Sequence, residues 1–82
     1  MRYTWDESKA EQVKRERGVE FAQIINIFED PYALEFIDEA HSTEDETRYA
    51  IIGTTALGLV YLIFTTPNDE EIHFVTAQLA EK

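Results

Sequence analysis

Residues 50–68 read Ala-Ile-Ile-Gly-Thr-Thr-Ala-Leu-Gly-Leu-Val-Tyr-Leu-Ile-Phe-Thr-Thr-Pro-Asn and carry no charged side chain. A membrane helix needs about 20 predominantly apolar residues, so length alone would admit a span here. Gly53, Thr54, Thr55 and Gly58 interrupt the stretch, however, and β-branched side chains are dense in it. Branching at Cβ favours extended backbone and glycine favours turns. Two strands joined by a turn over residues 54–58 therefore fit better than a membrane helix. The second strand, residues 59–65, is almost wholly apolar and is expected at the centre of a sheet.

On either side the pattern continues. Residues 47–53 form the strand before the turn, residues 34–39 alternate well enough for another, and residues 40–46 read as a polar, acidic loop. Pro67, Asn68 and Asp69 make a further turn, and residues 71–77 form the last strand. Towards the N-terminus, residues 2–5 alternate and carry two aromatics, which suits a short first strand. Asp6 then has the character of an N-cap, with Trp5 and Ala10 spaced as a hydrophobic staple. A helix over residues 7–17 follows, with Ala10 and Val13 as its narrow contact stripe and a Glu11–Arg15 pair at i,i+4. Gly18 is placed to end it in the left-handed conformation. Phe21, Ile24, Ile25 and Phe28 fill an i, i+3, i+4, i+7 template, which predicts a second, core-facing helix stopped by Pro31. The order β-α-α-β-β-β-β predicts one α+β domain over residues 1–82. Two N-terminal helices would pack on one face of a mostly antiparallel four- to five-stranded sheet. Tyr61 and Phe64, in the most apolar strand, are expected in the core.

Seventeen acidic side chains against seven basic give a formal net charge of -10, which repels polyanions and disfavours generic nucleic-acid binding. Four cations, Lys9, Lys14, Arg15 and Arg17, nevertheless fall within nine residues, which fits either a solvated helix face or a local basic surface. With no cysteine, neither a disulfide framework nor a thiolate metal site supports the small core. A reducing cytoplasm fits this composition. Asp6, Glu7 and Lys9 arrive too early for a secretory signal.

Trp5, Asp6 and Lys9, then Gly18, Val19 and Phe21, then Phe28, Asp30 and Pro31 together resemble the opening of the BrnT family of bacterial toxins. The segment Glu46-Thr47-Arg48-Tyr49 is similar to that family's Glu-Arg-Tyr/Phe strand, and Asp38, His41 and Ser42 resemble its Asp-x-x-His-Ser loop. The resemblance implies a RelE-like fold, a type II toxin-antitoxin system, metal-independent RNA cleavage and a cognate, BrnA-like antitoxin. It also implies RNA as a further partner and a homodimer or toxin-antitoxin hetero-oligomer, with no membrane. A basic C-terminal helix is usual in the family and is not expected within residues 1–82, where five residues follow the last strand.

RNA cleavage without a metal needs a base near the 2′-hydroxyl, cations on the phosphate and an acid for the leaving oxygen. The resemblance maps Arg48 onto a functional arginine of the family, and Lys9 and His73 join it as catalytic candidates. Lys14 and Arg17 are candidates for phosphate or antitoxin contacts, although Arg17 stands where the family commonly has histidine before the glycine. Arginine suits a phosphate because its planar fork donates two parallel hydrogen bonds. Two departures stand out: the family's last strand carries arginines where this chain has His73 and Gln78. An imidazole retains acid-base capacity, but a neutral amide cannot balance phosphorane charge, so weakened catalysis is expected. An inactive protein of the same fold, kept as an interaction module, is the alternative. Asp38, His41, Glu44 and Glu46 offer hard oxygens and an imidazole without a recognised metal-ligand spacing. No cofactor is implied, and Ser42 lacks a base and acid at nucleophile spacing.

Overall fold

The computed structural model describes residues 1–80, an α+β domain built on one five-stranded mixed sheet. The strands are β1 (Arg2–Trp5), β2 (Leu34–Ile37), β3 (Tyr49–Thr55), β4 (Gly58–Asn68) and β5 (Glu71–Leu79), in spatial order β1-β5-β4-β3-β2. The three pairings β2–β3, β3–β4 and β4–β5 are antiparallel, and β1 pairs parallel with β5. The apolar strand β4 is central, as expected from its composition. The turn that feeds it is tighter than predicted, because Thr55 already pairs with Gly58.

Helix α1 (Glu7–Arg17) begins and ends where its caps dictate. The Asp6 carboxylate accepts from the backbone N–H groups of Ser8 (2.9 Å) and Lys9 (3.2 Å), satisfying donors that a helix start leaves unpaired. Gly18, at φ 71°, closes the other end with its N–H on the Lys14 carbonyl at 3.0 Å. Lys14, Arg15 and Arg17 occupy the last turn, where the helix dipole favours cations. The Glu11–Arg15 pair does not form among the described residues; Lys14 pairs instead with Glu20 at 3.3 Å.

The second predicted helix is corrected to two 3-10 turns, Phe21–Gln23 and Ile25–Glu29. Their buried side chains are Phe21, Ile24 and Ile27, a period of three that matches the tighter helix rather than 3.6. Three isoleucines within four positions lower α-helical propensity, and Glu20 supplies no side-chain cap. The segment is short enough to lie flat on β3. A Cβ at Gly53 would sit 2.9 Å from Ile27 Cγ1 and 3.0 Å from Ala33 Cβ, so glycine is what permits this approach.

The core lies between one face of the sheet and these helical segments. Phe74, fully buried, is its hub, with ring centroids 5.5 Å from both Trp5 and Phe21 and 6.0 Å from Tyr3. Phe28 and Tyr49 close on Phe64 from either side, at 5.2 and 5.6 Å. Burying such side chains contributes about 1.5–3 kcal/mol each. Among the described residues no helix is long and apolar enough to cross a membrane.

A one-residue irregularity in β5 decides which of its side chains share a face. Ile63 pairs with Thr76 while Phe64 pairs with Phe74, so Val75 is an extra residue, a β-bulge. Side chains alternate between faces along a strand. Without the bulge, His73 and Gln78 would point to opposite faces; with it, both oppose residues of one face of β4, Thr65 and Tyr61.

Candidate functional site

The sheet face away from the core carries His73, Thr76 and Gln78 from β5, Tyr61, Ile63 and Thr65 from β4, and Ala50 and Ile52 from β3. Tyr61 is thus corrected from core to this second face. It is half-buried, with Phe36 edge-on at 6.3 Å. Phe64 is in the core as predicted.

Three of the residues singled out in the sequence converge here. Lys9 from α1, Arg48 immediately before β3 and His73 from β5 line one shallow cleft of about 280 Å³, together with Asp6, Glu46, Phe74 and Val75. Lys9 makes no ion pair among the described residues. The Arg48 guanidinium is held by Glu46, Nε to Oε1 at 3.2 Å. Asp6 is tied up in capping: the Ser8 hydroxyl, then the backbone N–H groups of Lys9 and Ser8, hold its carboxyl below the ordinary range, with a smaller attraction from His73.

The orientation of the His73 ring follows from proton counting. The Thr4 hydroxyl lies 2.6 Å from Glu71 Oε2 and 2.9 Å from His73 Nδ1. A carboxylate only accepts, so the single hydroxyl proton goes to Glu71 and Thr4 accepts from His73 Nδ1–H. That tautomer leaves Nε2 of the neutral ring as the free lone pair. Glu71 is anchored in turn: the Thr4 hydroxyl first, then Arg2 and Asn68, hold its carboxyl below the ordinary value.

Along the same face, Arg17, His41, Tyr61, Ile63, Thr76, Ala77 and Gln78 line a second cleft, of about 410 Å³. The Arg17 guanidinium donates to the Gln78 carboxamide oxygen. A cation from the end of α1 therefore stands at the strand position where the sequence offers only an amide. His41 sits on a 3-10 turn, Glu39–His41, with its Nδ1 2.7 Å from the buried Asp38 carboxylate. Ser42 is structural rather than nucleophilic: its hydroxyl donates to the Asp38 carbonyl (2.7 Å) and accepts from Arg48 N–H (2.9 Å). That clamp fixes the His41 turn and the root of Arg48 together.

The remaining candidates separate. Lys14 faces neither cleft; it lines a groove with Trp5, Glu20 and Phe21 between α1 and the first 3-10 turn. The local basic surface is accordingly divided over three places. Asp38, His41, Glu44 and Glu46 do not converge into a metal-holding group among the described residues. Thr4 and Glu71 escaped the sequence reading as site components, and Asp38 and His41, singled out there as loop and metal-ligand candidates, pair with each other instead. The i,i+3 spacing of Asp38 and His41 was the visible signal for that pairing.

The family model for "Ribonuclease toxin, BrnT, of type II toxin-antitoxin system" matches residues 5–82. This chain belongs to the BrnT family. Among solved structures, the crystal structure of the Brucella abortus ribonuclease toxin BrnT superposes with a TM-score of 0.79 at 24% identity, covering 100% of this chain and 99% of that one. The match shows that the BrnT fold is shared from end to end. No curated protein matches the chain significantly. Membership in a toxin-antitoxin family implies an antitoxin partner.

Proposed function

We propose that this chain is a BrnT-type, RelE-like ribonuclease toxin that cleaves RNA without a metal at the Lys9–Arg48–His73 cleft, with weakened turnover. The observation that carries this reading is the convergence of those three side chains, from three separate elements, around an imidazole with a defined free nitrogen. His73 Nε2 takes the 2′-hydroxyl proton as the 2′-oxygen attacks phosphorus. The P–O5′ bond breaks, and the leaving oxygen takes a proton from the Lys9 ammonium, giving a 2′,3′-cyclic phosphate and a 5′-hydroxyl. Arg48 neutralises charge that builds on the non-bridging oxygens. Weakened turnover follows from the balance in the cleft, where two carboxylates, Asp6 and Glu46, face two cations.

The cognate partner is a BrnA-like antitoxin, in a toxin-antitoxin hetero-oligomer or beside a toxin homodimer, in the cytoplasm. An acidic surface selects a basic or apolar partner segment. Exposed Leu34, Phe36 and Leu59 on the second face and Ile37 on the edge strand offer the apolar contact. The same strip favours the second reading, an inactive interaction module of this fold.

Cleavage of single-stranded RNA by the purified protein in the presence of a chelator separates the two. The ribonuclease reading expects cyclic-phosphate products, growth arrest on expression without antitoxin, and a loss of about a hundredfold or more in Arg48→Ala. Healthy cells making abundant soluble wild type, and intact RNA in vitro, would establish the module.

A further inference from the structure

We propose that the cleft framed by Arg17, His41 and Tyr61 is a second nucleotide subsite for single-stranded RNA, with Asp38 as its positioning residue. Resting on the ribonuclease reading above, it assigns a place for a nucleotide beyond the scissile one.

The cleft is built rather than incidental. Asp38 is 8% exposed, and a buried carboxylate is costly unless it is paired. Its partner is the His41 Nδ1–H at 2.7 Å, so Nε2 is the ring nitrogen left for a ligand while the side chain as a whole stays 59% exposed. Ser42 locks the turn to the backbone of Arg48, which ties this imidazole to the neighbouring cleft. Arg17 does not trail into solvent from its helix end. It reaches across to Gln78 and makes no ion pair among the described residues.

Charge then selects the ligand. In a chain of net charge -10, this cleft has a guanidinium, an imidazole, an aromatic ring and amide or hydroxyl groups on its walls, and among the described residues no carboxylate. Its volume of about 410 Å³ falls in the roughly 300–1,000 Å³ range of small-ligand sites. A phosphate suits Arg17 and, when its ring is protonated so that Nε2–H donates, His41. A base suits the Tyr61 ring, because single-stranded RNA is recognised by stacking on aromatic and guanidinium planes with backbone cations alongside. The two clefts share one sheet face. The Thr65–His73 pair in one and the Tyr61–Gln78 pair in the other are four residues apart on β4, about 13 Å at ~3.3 Å per residue. A dinucleotide whose single phosphodiester lies at His73 falls short of that distance, whereas an extended hexanucleotide spans it.

The test compares a dinucleotide with a hexanucleotide. Wild type, Arg17→Met and Tyr61→Leu are assayed for cleavage of both lengths, and for binding of a 2′-O-methyl hexanucleotide that cannot be cut. Arg17 is exposed and Tyr61 half-buried, so the unfolding midpoint of each variant is measured alongside; His41→Gln, retaining a donor for Asp38, is the third variant. Each variant is expected to raise KM for the hexanucleotide about tenfold, as for loss of one stacked or charge-paired nucleotide, with kcat unchanged and the dinucleotide unaffected. Affinity for the uncleavable hexanucleotide falls by the same factor, and the salt dependence of Arg17→Met becomes shallower by about one phosphate contact. Equal KM values on the hexanucleotide, or a kcat loss shared by both lengths, would overturn the subsite. If wild type cuts neither length, the ribonuclease reading falls on its own. The binding measurement still decides the subsite, which is refuted if wild type and Arg17→Met bind the uncleavable strand equally.

Discussion

His73 and Phe74 are neighbours in the chain and opposites in environment. Phe74 points into the aromatic core and touches Tyr3, Trp5, Phe21 and Phe28. His73 points the other way, into a polar cleft where Thr4 holds its Nδ1. The pleat of one strand thus separates what stabilises the domain from what equips its surface. Each face should be removable without the other.

Phe74→Ala gives the largest effect, a loss of about 3–5 kcal/mol from transfer and cavity terms, read from denaturant unfolding. For a domain with a total of about 5–15 kcal/mol, that removes a large share of the stability. His73→Ala should do the reverse. Its unfolding midpoint stays within about 0.5 kcal/mol of wild type, while RNA cleavage falls about a hundredfold, roughly 2.7 kcal/mol of barrier. A His73→Ala protein that melts early but cuts normally would erase the contrast. Gly53→Ala tests whether the core face tolerates any growth, because the new methyl meets Ile27 and Ala33 at about contact-breaking range. Overpacking of this kind costs about 1–3 kcal/mol, and an unchanged midpoint would mean that the 3-10 segment shifts freely. Thr4→Val is subtler, removing the acceptor for His73 Nδ1–H at nearly constant shape. We expect about a tenfold drop in kcat, with a smaller loss of stability from the hydrogen bond to Glu71, both restored by Thr4→Ser, since loss of an orienting hydrogen bond lets the ring adopt the wrong tautomer.

Acid should produce the smallest and most diffuse change. Hydrogen bonds hold the carboxyls of Asp6, Asp30 and Glu71 below their ordinary values of 3.8, 3.8 and 4.5. For Asp30 the donors are the backbone N–H groups of Thr54, first, and Tyr32. A depressed folded-state pKa means that the unfolded chain binds protons first, so this stabilisation is complete above the ordinary values and disappears as pH falls below them. Thermal midpoints should be level on this account from neutral pH to about pH 5 and decline further down. Asp30→Asn should flatten that decline, because the amide keeps an acceptor but no longer titrates.

Local chemistry was the legible part of this chain. Asp6 and Gly18 bracket α1 because capping involves only a few neighbouring residues, and β4 declares its central place through composition alone. The misread segment 21–29 shows the limit. Phe21 and Ile24 satisfy both the 3.6 and the 3.0 period, and only Ile27, buried where a longer repeat would favour Phe28, tells them apart. Placing Tyr61 in the core failed because β4 is covered on one face by helical segments and only partly on the other. Lys9, Arg48 and His73 were chosen through family resemblance, and their meeting depends on contacts between remote segments. The Val75 bulge and the reach of Arg17 to Gln78 leave no mark in composition or periodicity.

The parallel pairing of β1 with β5 carries a temporal consequence. Arg2–Trp5 has no strand to join until Glu71 to Phe74 has been synthesised, and Thr4 cannot orient His73 before then. A nascent chain leaving the ribosome therefore lacks its set imidazole until that late pairing forms, and any nuclease activity is deferred until the strand bearing that residue has emerged and docked.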